Sequence, residues 1–361
     1  MNFSDKAETL MNTAAGPIEK NVLPHLIHIT EAAAVASAYE VGRGDRKYAD
    51  HMATEAMRRM LNHIDIKGTI KIGEGERDEA PMLFIGEEVG TGNGPEVEIA
   101  VDPLEGTNLA ADNINGSITV MCMAEKGGIF HGPDIYFDKI VVGPEVVRYE
   151  KETGRSVSID ASPLENLKIV AEALGKEISE VSVVVLERDR HKKLIKELRE
   201  AGARVSLIPD GDLMPGVFTC IGNVNVDMVM GAGGSGEAVL TASAVKCLGG
   251  KVTGRLVLPS VANGKSEEDI RKELAEKLPR LEKMGIPENE ISKIRNTEDL
   301  VPGKDVIFAA TAVTEGPVMR AAKIFNDGNV RLTTLTIGAS GCVRVTESYY
   351  AIDKTKKQIF L

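Results

Sequence analysis

The chain has 361 residues, 43% of them apolar, and 43 Lys plus Arg stand against 54 Asp plus Glu for a formal net charge of −11. At roughly 150 residues per domain, that length predicts about two domains with a sizeable core. The acidic balance, without any lysine or arginine run, argues against nucleic acid and anionic membrane surfaces as partners. No stretch reaches the roughly 18 uninterrupted apolar residues of a membrane helix. Met1 to Leu10 carries Asp5 and Glu8 where a signal peptide has its basic-then-apolar order. Cys122, Cys220, Cys247 and Cys342 have no C-x-x-C spacing and read as reduced thiols, so a cytoplasmic location is expected.

The first thirty residues are of mixed character and read as an arm or docking segment, with an alanine-rich helix over 31–41 stopped by Gly42 and Gly44. A helix is expected after Asp50, where Ala53, Ala56, Met57, Met60 and Leu61 share one face. Strands at 69–72 and 82–85, an alternating strand over 97–101 that runs into Asp102, and an apolar strand over 118–124 suggest an antiparallel α+β first part. Further on, a strand at 181–186, a helix over 189–202 and a strand at Arg204–Ile208 have the order of a parallel crossover unit. A strand at 226–230 leads through glycines into a helix over 237–248. Ser266 and Asp269 open a charged helix that Pro279 kinks or divides. Strands follow at 305–310, 330–336 and 343–346, and polar turn residues at 158–163 suggest domains over 1–160 and 161–361.

Three acidic clusters stand at the ends of these elements. In Gly44-Asp45-Arg46-Lys47-Tyr48-Ala49-Asp50, Asp50 is either a helix N-cap or a ligand. Glu74, Glu76, Asp78 and Glu79 repel one another unless solvated, paired or bound to a cation, and Gly73 and Gly75 allow them to converge. Hard divalent cations take such oxygen ligands. The sharpest signal is Asp102-Pro103-Leu104-Glu105-Gly106-Thr107-Asn108, with two carboxylates three residues apart and a hydroxyl beside them. The six histidines show no zinc spacing, and His191 is either a phosphate contact or a solvated helix start.

Asp-Pro-x-x-Gly-Thr at a strand end resembles the metal motif of the lithium-sensitive sugar-phosphate phosphatases. The stretches I-G-E-G-E-R-D-E-A-P-M-L-F-I-G-E-E-V-G (72–90) and I-A-V-D-P-L-E-G-T-N (99–108) resemble class II fructose-1,6-bisphosphatases, the bacterial type that includes bifunctional fructose-1,6-/sedoheptulose-1,7-bisphosphatases. The likeness continues through Lys126-Gly127-Gly128, Gly132-Pro133-Asp134-Ile135-Tyr136, Pro209-Asp210-Gly211-Asp212 and 231–237. It implies an α/β fold, a layered α-β-α-β-α sandwich of the sugar-phosphatase type, with most metal ligands in the N-terminal part. It also implies Mg²⁺ or Mn²⁺, held by Asp50, Glu74, Asp102, Glu105 and Glu237, with Thr107 and Asp78 polarising the attacking water. The sugar bisphosphate would meet Glu105, Gly106, Thr107, Tyr136, Arg188, Asp189, Arg190, Asp210, Gly211, Asp212 and Gly234. A homo-oligomer, dimer or tetramer, is expected on the same ground. Arg46-Lys47-Tyr48 stands where the family reads Lys-Asn-Thr, and Gly234-Ser235-Gly236-Glu237-Ala238 lacks its usual proline.

A rival reading uses the same glycines. Gly231-x-Gly233-x-x-Gly236 between a predicted strand and helix matches a dinucleotide-binding fingerprint, which would make the chain an NAD(P)-dependent oxidoreductase. Against it, Glu237 places an anion where the pyrophosphate belongs, and 238–266 holds no Asp or Glu for the ribose.

Overall fold

A computed structural model describes residues 15–75, 82–326 and 328–351. In chain order, helices α1 (Pro17–Asn21), α2 (Leu23–Ala38) and α3 (Arg46–Leu61) precede strands β1 (Lys67–Ile72), β2 (Glu88–Val89) and β3 (Glu96–Glu105). The short helix α4 (Thr107–Ala111) and β4 (Ile118–Glu125) follow. Next come β5 (Tyr136–Val142), α5 (Pro144–Thr153), α6 (Pro163–Leu174), β6 (Ser182–Leu186), α7 (Lys192–Glu200) and β7 (Arg204–Ile208). The chain continues through α8 (Leu213–Phe218), β8 (Met228–Gly234), α9 (Ser235–Cys247), β9 (Lys251–Val257), α10 (Glu267–Lys283) and β10 (Arg295–Asn296). It ends with β11 (Ile307–Ala312), β12 (Lys323–Ile324), β13 (Val330–Gly338) and β14 (Val343–Tyr350). The α/β class expected from the sequence is the one observed, with two sheets and helices in both units.

The chain divides into two compact units, Met1–Ile129 with Gly303–Leu361, and Phe130–Pro302. This differs from a division at residue 160, because sheet partners rather than sequence rhythm define the units. β5 and α5 precede residue 160, yet β5 is the strand to which β8 and β9 pair in the second sheet. β11 returns to the first sheet beside β4, with Ile307 opposite Met123. The polar residues at 158–163 are a helix entry: Ser162 accepts from the Glu165 N–H while the Glu165 carboxylate accepts from the Ser162 N–H.

The first sheet has the order β12-β13-β11-β4-β3-β1-β2, with β14 beside β13. It is antiparallel except where β1 lies parallel to β3. β4 and β11 are buried along nearly their whole length, as their apolar runs predict. Leu26, Ile29, Met57, Leu61, Ile70, Ile99 and Met121 form its core. Of the first thirty residues, those from Ile18 to Ile29 are not an arm, since Ile18, Val22, Leu23, Leu26 and Ile29 all belong to that core, while 1–14 lie outside the described residues. Pro24 sits in the first turn of α2, where its missing N–H costs no helix hydrogen bond.

Segment 82–85 is a turn and not a strand, with Leu83 at φ 51° and its carbonyl accepting from the Glu74 N–H at 3.0 Å. The second sheet has the order β10-β9-β5-β8-β6-β7, and β6, α7 and β7 make the expected parallel crossover. Its core includes Ile140, Val142, Leu167, Val170, Val183, Val185 and Leu198. α10 runs through Pro279 without dividing. Among the described residues, no helix is long and apolar enough to cross a membrane.

Candidate active site

In the first unit the cap of α3 is Asp45, whose Oδ1 accepts from the Tyr48 N–H at 3.0 Å. Asp50 lies a turn further in and is therefore not the N-cap, so its carboxylate is available for another role. It faces Glu74, which sits in the turn after β1 and shares a hydrogen bond with it. Burial, together with the charges of Asp50 and Asp102, pushes the Glu74 carboxyl up to about 9 from 4.5. Burial also raises Asp50, partly offset by the hydrogen bond from Glu74.

Asp102 stands near the end of β3, where pairing with β4 slips between Asp102 and Glu105. Such a bulge re-aims side chains, and Pro103 fits there because it has no N–H to leave unpaired. The Asp102 Oδ1 accepts from the Leu104 N–H at 3.0 Å, and a carboxylate oxygen of Asp102 lies within 4.8 Å of one from Glu105. Gly106, in the left-handed region at φ 72°, turns the chain into α4. Thr107 donates its hydroxyl hydrogen to the Leu104 carbonyl at 2.9 Å. Asp78 lies outside the described residues.

These carboxylates form an all-oxygen donor set whose mutual repulsion a divalent cation would relieve. The cluster could therefore hold one, and hard oxygen donors suit Mg²⁺ and Mn²⁺ alike.

In the second unit the functional candidates gather around β8. Gly231 and Gly233 are strand residues, paired with Lys139 and Phe137 of β5, and α9 begins directly after Gly234. No glycine loop separates strand from helix, and β5 lies between β8 and β9, antiparallel to both, so the adjacent parallel strands of a dinucleotide-binding βαβ unit are missing here. The glycines serve close packing instead. A Cβ on Gly231 would lie 2.9 Å from His191 Nε2, one on Gly233 2.8 Å from Asp212 Oδ2, and one on Gly234 1.9 Å from Glu237 Oε2. Glu237 itself lies in the first turn of α9.

Tyr136 opens β5 opposite Gly234, and the Arg190 guanidinium lies over its ring, 4.4 Å from the centroid. Arg190 donates from Nε and Nη2 to the Ala232 carbonyl at 3.0 and 2.8 Å. The Ala232 N–H donates to His191 Nε2 at 2.9 Å, so the ring proton sits on Nδ1 and goes to the Leu186 carbonyl at 2.8 Å. Burial lowers the His191 pKa further in this neutral form, and the residue is neither a phosphate contact nor a solvated helix start. Arg188 donates to the Pro209 carbonyl and pairs with Asp210 at 3.5 Å. Arg190 feels the charges of Arg188 and Asp212, which places these side chains in one electrostatic neighbourhood, with Gly211 between the two aspartates. Asp189 is not part of it: its side chain is 92% exposed and pairs with Lys192 at 2.8 Å.

Of two further residues here, the sequence reading gave His191 other roles and missed Lys139 altogether. His191 holds the N–H of Ala232, the residue whose carbonyl holds Arg190, and Lys139, fully buried, pairs with Asp212 at 2.5 Å. The available signal for Lys139 was a lone cation at an inward position of the apolar strand Tyr136–Val142.

The profile of a family described as "Bacterial fructose-1,6-bisphosphatase, glpX-encoded" matches residues 20–350. A Synechococcus sp. (strain JA-2-3B'a(2-13)) protein named D-fructose 1,6-bisphosphatase class 2/sedoheptulose 1,7-bisphosphatase is 43% identical over 346 residues, 91% of this chain and 95% of that protein. A Trichodesmium erythraeum protein of the same name is 40% identical over 349 residues, 92% and 96% of the two chains. A solved structure of inositol monophosphatase from Anabaena covers 63% of this chain and 71% of its own at 16% identity and a TM-score of 0.28, a likeness too weak to carry an argument. With the profile spanning nearly every described residue and relatives at this identity end to end, the chain belongs to the bacterial, glpX-encoded fructose-1,6-bisphosphatase family.

Proposed function

We propose that the chain hydrolyses the 1-phosphate of fructose 1,6-bisphosphate, giving fructose 6-phosphate and inorganic phosphate. The observation that carries this reading is the trio Asp50, Glu74 and Asp102, buried and crowded so that burial first and the neighbouring charges second push Glu74 to about 9, beside Glu105 and Thr107. Asp50, Glu74, Asp102 and Glu105 would hold Mg²⁺ or Mn²⁺, and Glu237 is added to the ligand set on the family resemblance. When bound, the cations would lower the pKa of the attacking water and neutralise charge on the departing oxygen. The chain's own groups do the rest. Because the Thr107 hydroxyl donates its hydrogen to Leu104, its lone pairs are left to accept a hydrogen from the water and orient it. Asp78 is assigned to the same water by resemblance.

Arg190, held by Ala232 and stacked on Tyr136, presents the rest of its planar fork to the distal phosphate, and Arg188 adds charge. Asp210 and Asp212, as acceptors, suit sugar hydroxyls. Glu105, Gly106 and Gly234 complete the proposed contacts. Asp189, turned to solvent, is left to contribute through its backbone. A sedoheptulose 1,7-bisphosphate activity belongs to the same reading, on the names of the relatives. A dimer or tetramer is added on the family resemblance, and a cytoplasmic location on the cysteines' lack of C-x-x-C spacing.

The test is phosphate release from fructose 1,6-bisphosphate with Mg²⁺, with Mn²⁺ and with EDTA, beside Asp102→Asn. Fast release that stops with the chelator and in the variant supports the proposal. Equal rates in EDTA, or near-normal turnover by Asp102→Asn, would overturn it.

A further inference from the structure

We infer that Lys139, a residue outside the proposed contact set, is a positioning residue that sets the Asp212 carboxylate for the sugar. The inference rests on the reading of Asp212 as a sugar contact. Lys139 lies midway along β5, a strand paired on one side with β8 and on the other with β9. Its side chain is fully buried. A cation so placed is strongly disfavoured unless a partner compensates its lost hydration, and an apolar side chain of similar length would fill the space without that penalty. Its partner is Asp212, itself buried, with Nζ 2.5 Å from Oδ2.

The pair lies directly over β8. A Cβ on Gly233 would stand 2.8 Å from Asp212 Oδ2 and 2.9 Å from Lys139 Nζ, so only glycine leaves room for it. Gly233 adjoins Ala232, whose carbonyl holds Arg190. The ion pair thus sits one residue from the group proposed to grip the distal phosphate. Two consequences follow from that placement. Lys139 engages one oxygen of Asp212, which fixes the carboxylate plane and leaves the other oxygen as an acceptor for a hydroxyl. It also offsets an anion that would otherwise repel a phosphate at Arg190. Asp210 has a matching arrangement with Arg188 at 3.5 Å. Being fully buried, Lys139 acts on the substrate through Asp212 and not by contact.

The test uses the full chain with Mg²⁺ and compares KM and kcat for fructose 1,6-bisphosphate in wild type, Lys139→Met, Asp212→Asn and the double variant, with Tm measured without substrate. Lys139→Met is expected to raise KM by ~10-fold, the loss of about one charge-assisted hydrogen bond, with kcat changed by less than about twofold. In the Asp212→Asn background, removing Lys139 should leave KM unaltered. Gly233→Ala keeps both charges but displaces the pair, and it should raise KM in the same direction even where Lys139→Met fails to fold. A lowered Tm with unchanged KM in Lys139→Met and Gly233→Ala would overturn the inference and leave a purely structural ion pair. A further rise in KM on removing Lys139 from Asp212→Asn would overturn it in favour of direct contact. An unchanged KM in Asp212→Asn itself would instead defeat the reading of Asp212 as a sugar contact, and the inference with it.

Discussion

Gly231→Ala perturbs the point where packing, backbone geometry and the proposed phosphate contact of Arg190 meet. Gly231 has φ +120°, a region essentially closed to residues with a Cβ, and adopting it costs about 1–3 kcal/mol. The added Cβ would also stand 2.9, 3.1 and 3.2 Å from three atoms of the His191 ring. That ring is fixed at both nitrogens and cannot tilt away without loosening its bonds to Leu186 and Ala232, each worth about 0.5–1.5 kcal/mol. The sum is roughly 2–6 kcal/mol, which in a unit of this size lowers Tm by on the order of 10 °C. Because the carbonyl of the same residue, Ala232, holds Arg190, KM for the bisphosphate should rise as well. The assay is thermal unfolding together with steady-state phosphate release, with Gly222→Ala as the control, since a Cβ there meets nothing within 4 Å. If Gly231→Ala unfolds at the control's temperature and binds substrate equally well, the account of this glycine as a packing residue is wrong.

Asp45→Ala should destabilise the chain by ~1 kcal/mol through loss of the α3 cap, with kcat unchanged. Asp50→Asn should spare stability and abolish phosphate release, and the opposite pattern in denaturation and activity assays would restore Asp50 as the cap. Adding Mg²⁺ or Mn²⁺ to metal-free protein should raise Tm, by the equivalent of about 2.7 kcal/mol at a hundred times the dissociation constant. Glu74→Gln should erase most of that rise, and an undiminished shift would remove Glu74 from the ligand set. His191 is held neutral by burial and by the Arg190 and Lys139 charges against that of Asp212, so its folded-state pKa lies below the ordinary 6.5. Its contribution to stability is then complete above about 6.5 and is lost as pH falls through that value toward the folded-state pKa. Tm should therefore fall more between pH 7 and 5 in wild type than in His191→Gln, and parallel curves would contradict the assignment.

Local signals and tertiary facts separate cleanly in this chain. Apolar runs at β4 and β11 and the crossover around α7 were legible because burial writes directly into residue pattern, whereas the alternation before Asp102 marked a strand but not a half-buried one, since Val97 to Val101 are all buried and Glu98 pairs with Lys71. Asp102, Glu105 and Thr107 stood out as candidates because Pro103 and Gly106 mark the turn that carries them. Asp50 remained ambiguous between cap and ligand because both need a carboxylate near a helix start, and only the bond from Tyr48 to Asp45 separates the two. The glycines of β8 misled for a similar reason. A strand that must admit an imidazole, an ion pair and a glutamate over three close positions spells almost the same pattern as a pyrophosphate loop. Asp189 shared a resemblance with its neighbours, but its exposure depends on the backbone turn before α7, which no residue type in the segment dictates.

The interrupted first unit also sets the order in which the chain can fold as it is made. β4 pairs with β3 as soon as both have emerged, but its other edge waits for β11, whose partners lie roughly 180 residues later. Meanwhile Phe130–Pro302 contains every strand of the second sheet and can finish that sheet first. A ribosome that stalls before Gly303 thus carries one completed sheet and one with an apolar strand open along its edge, the kind of surface on which nascent chains join one another.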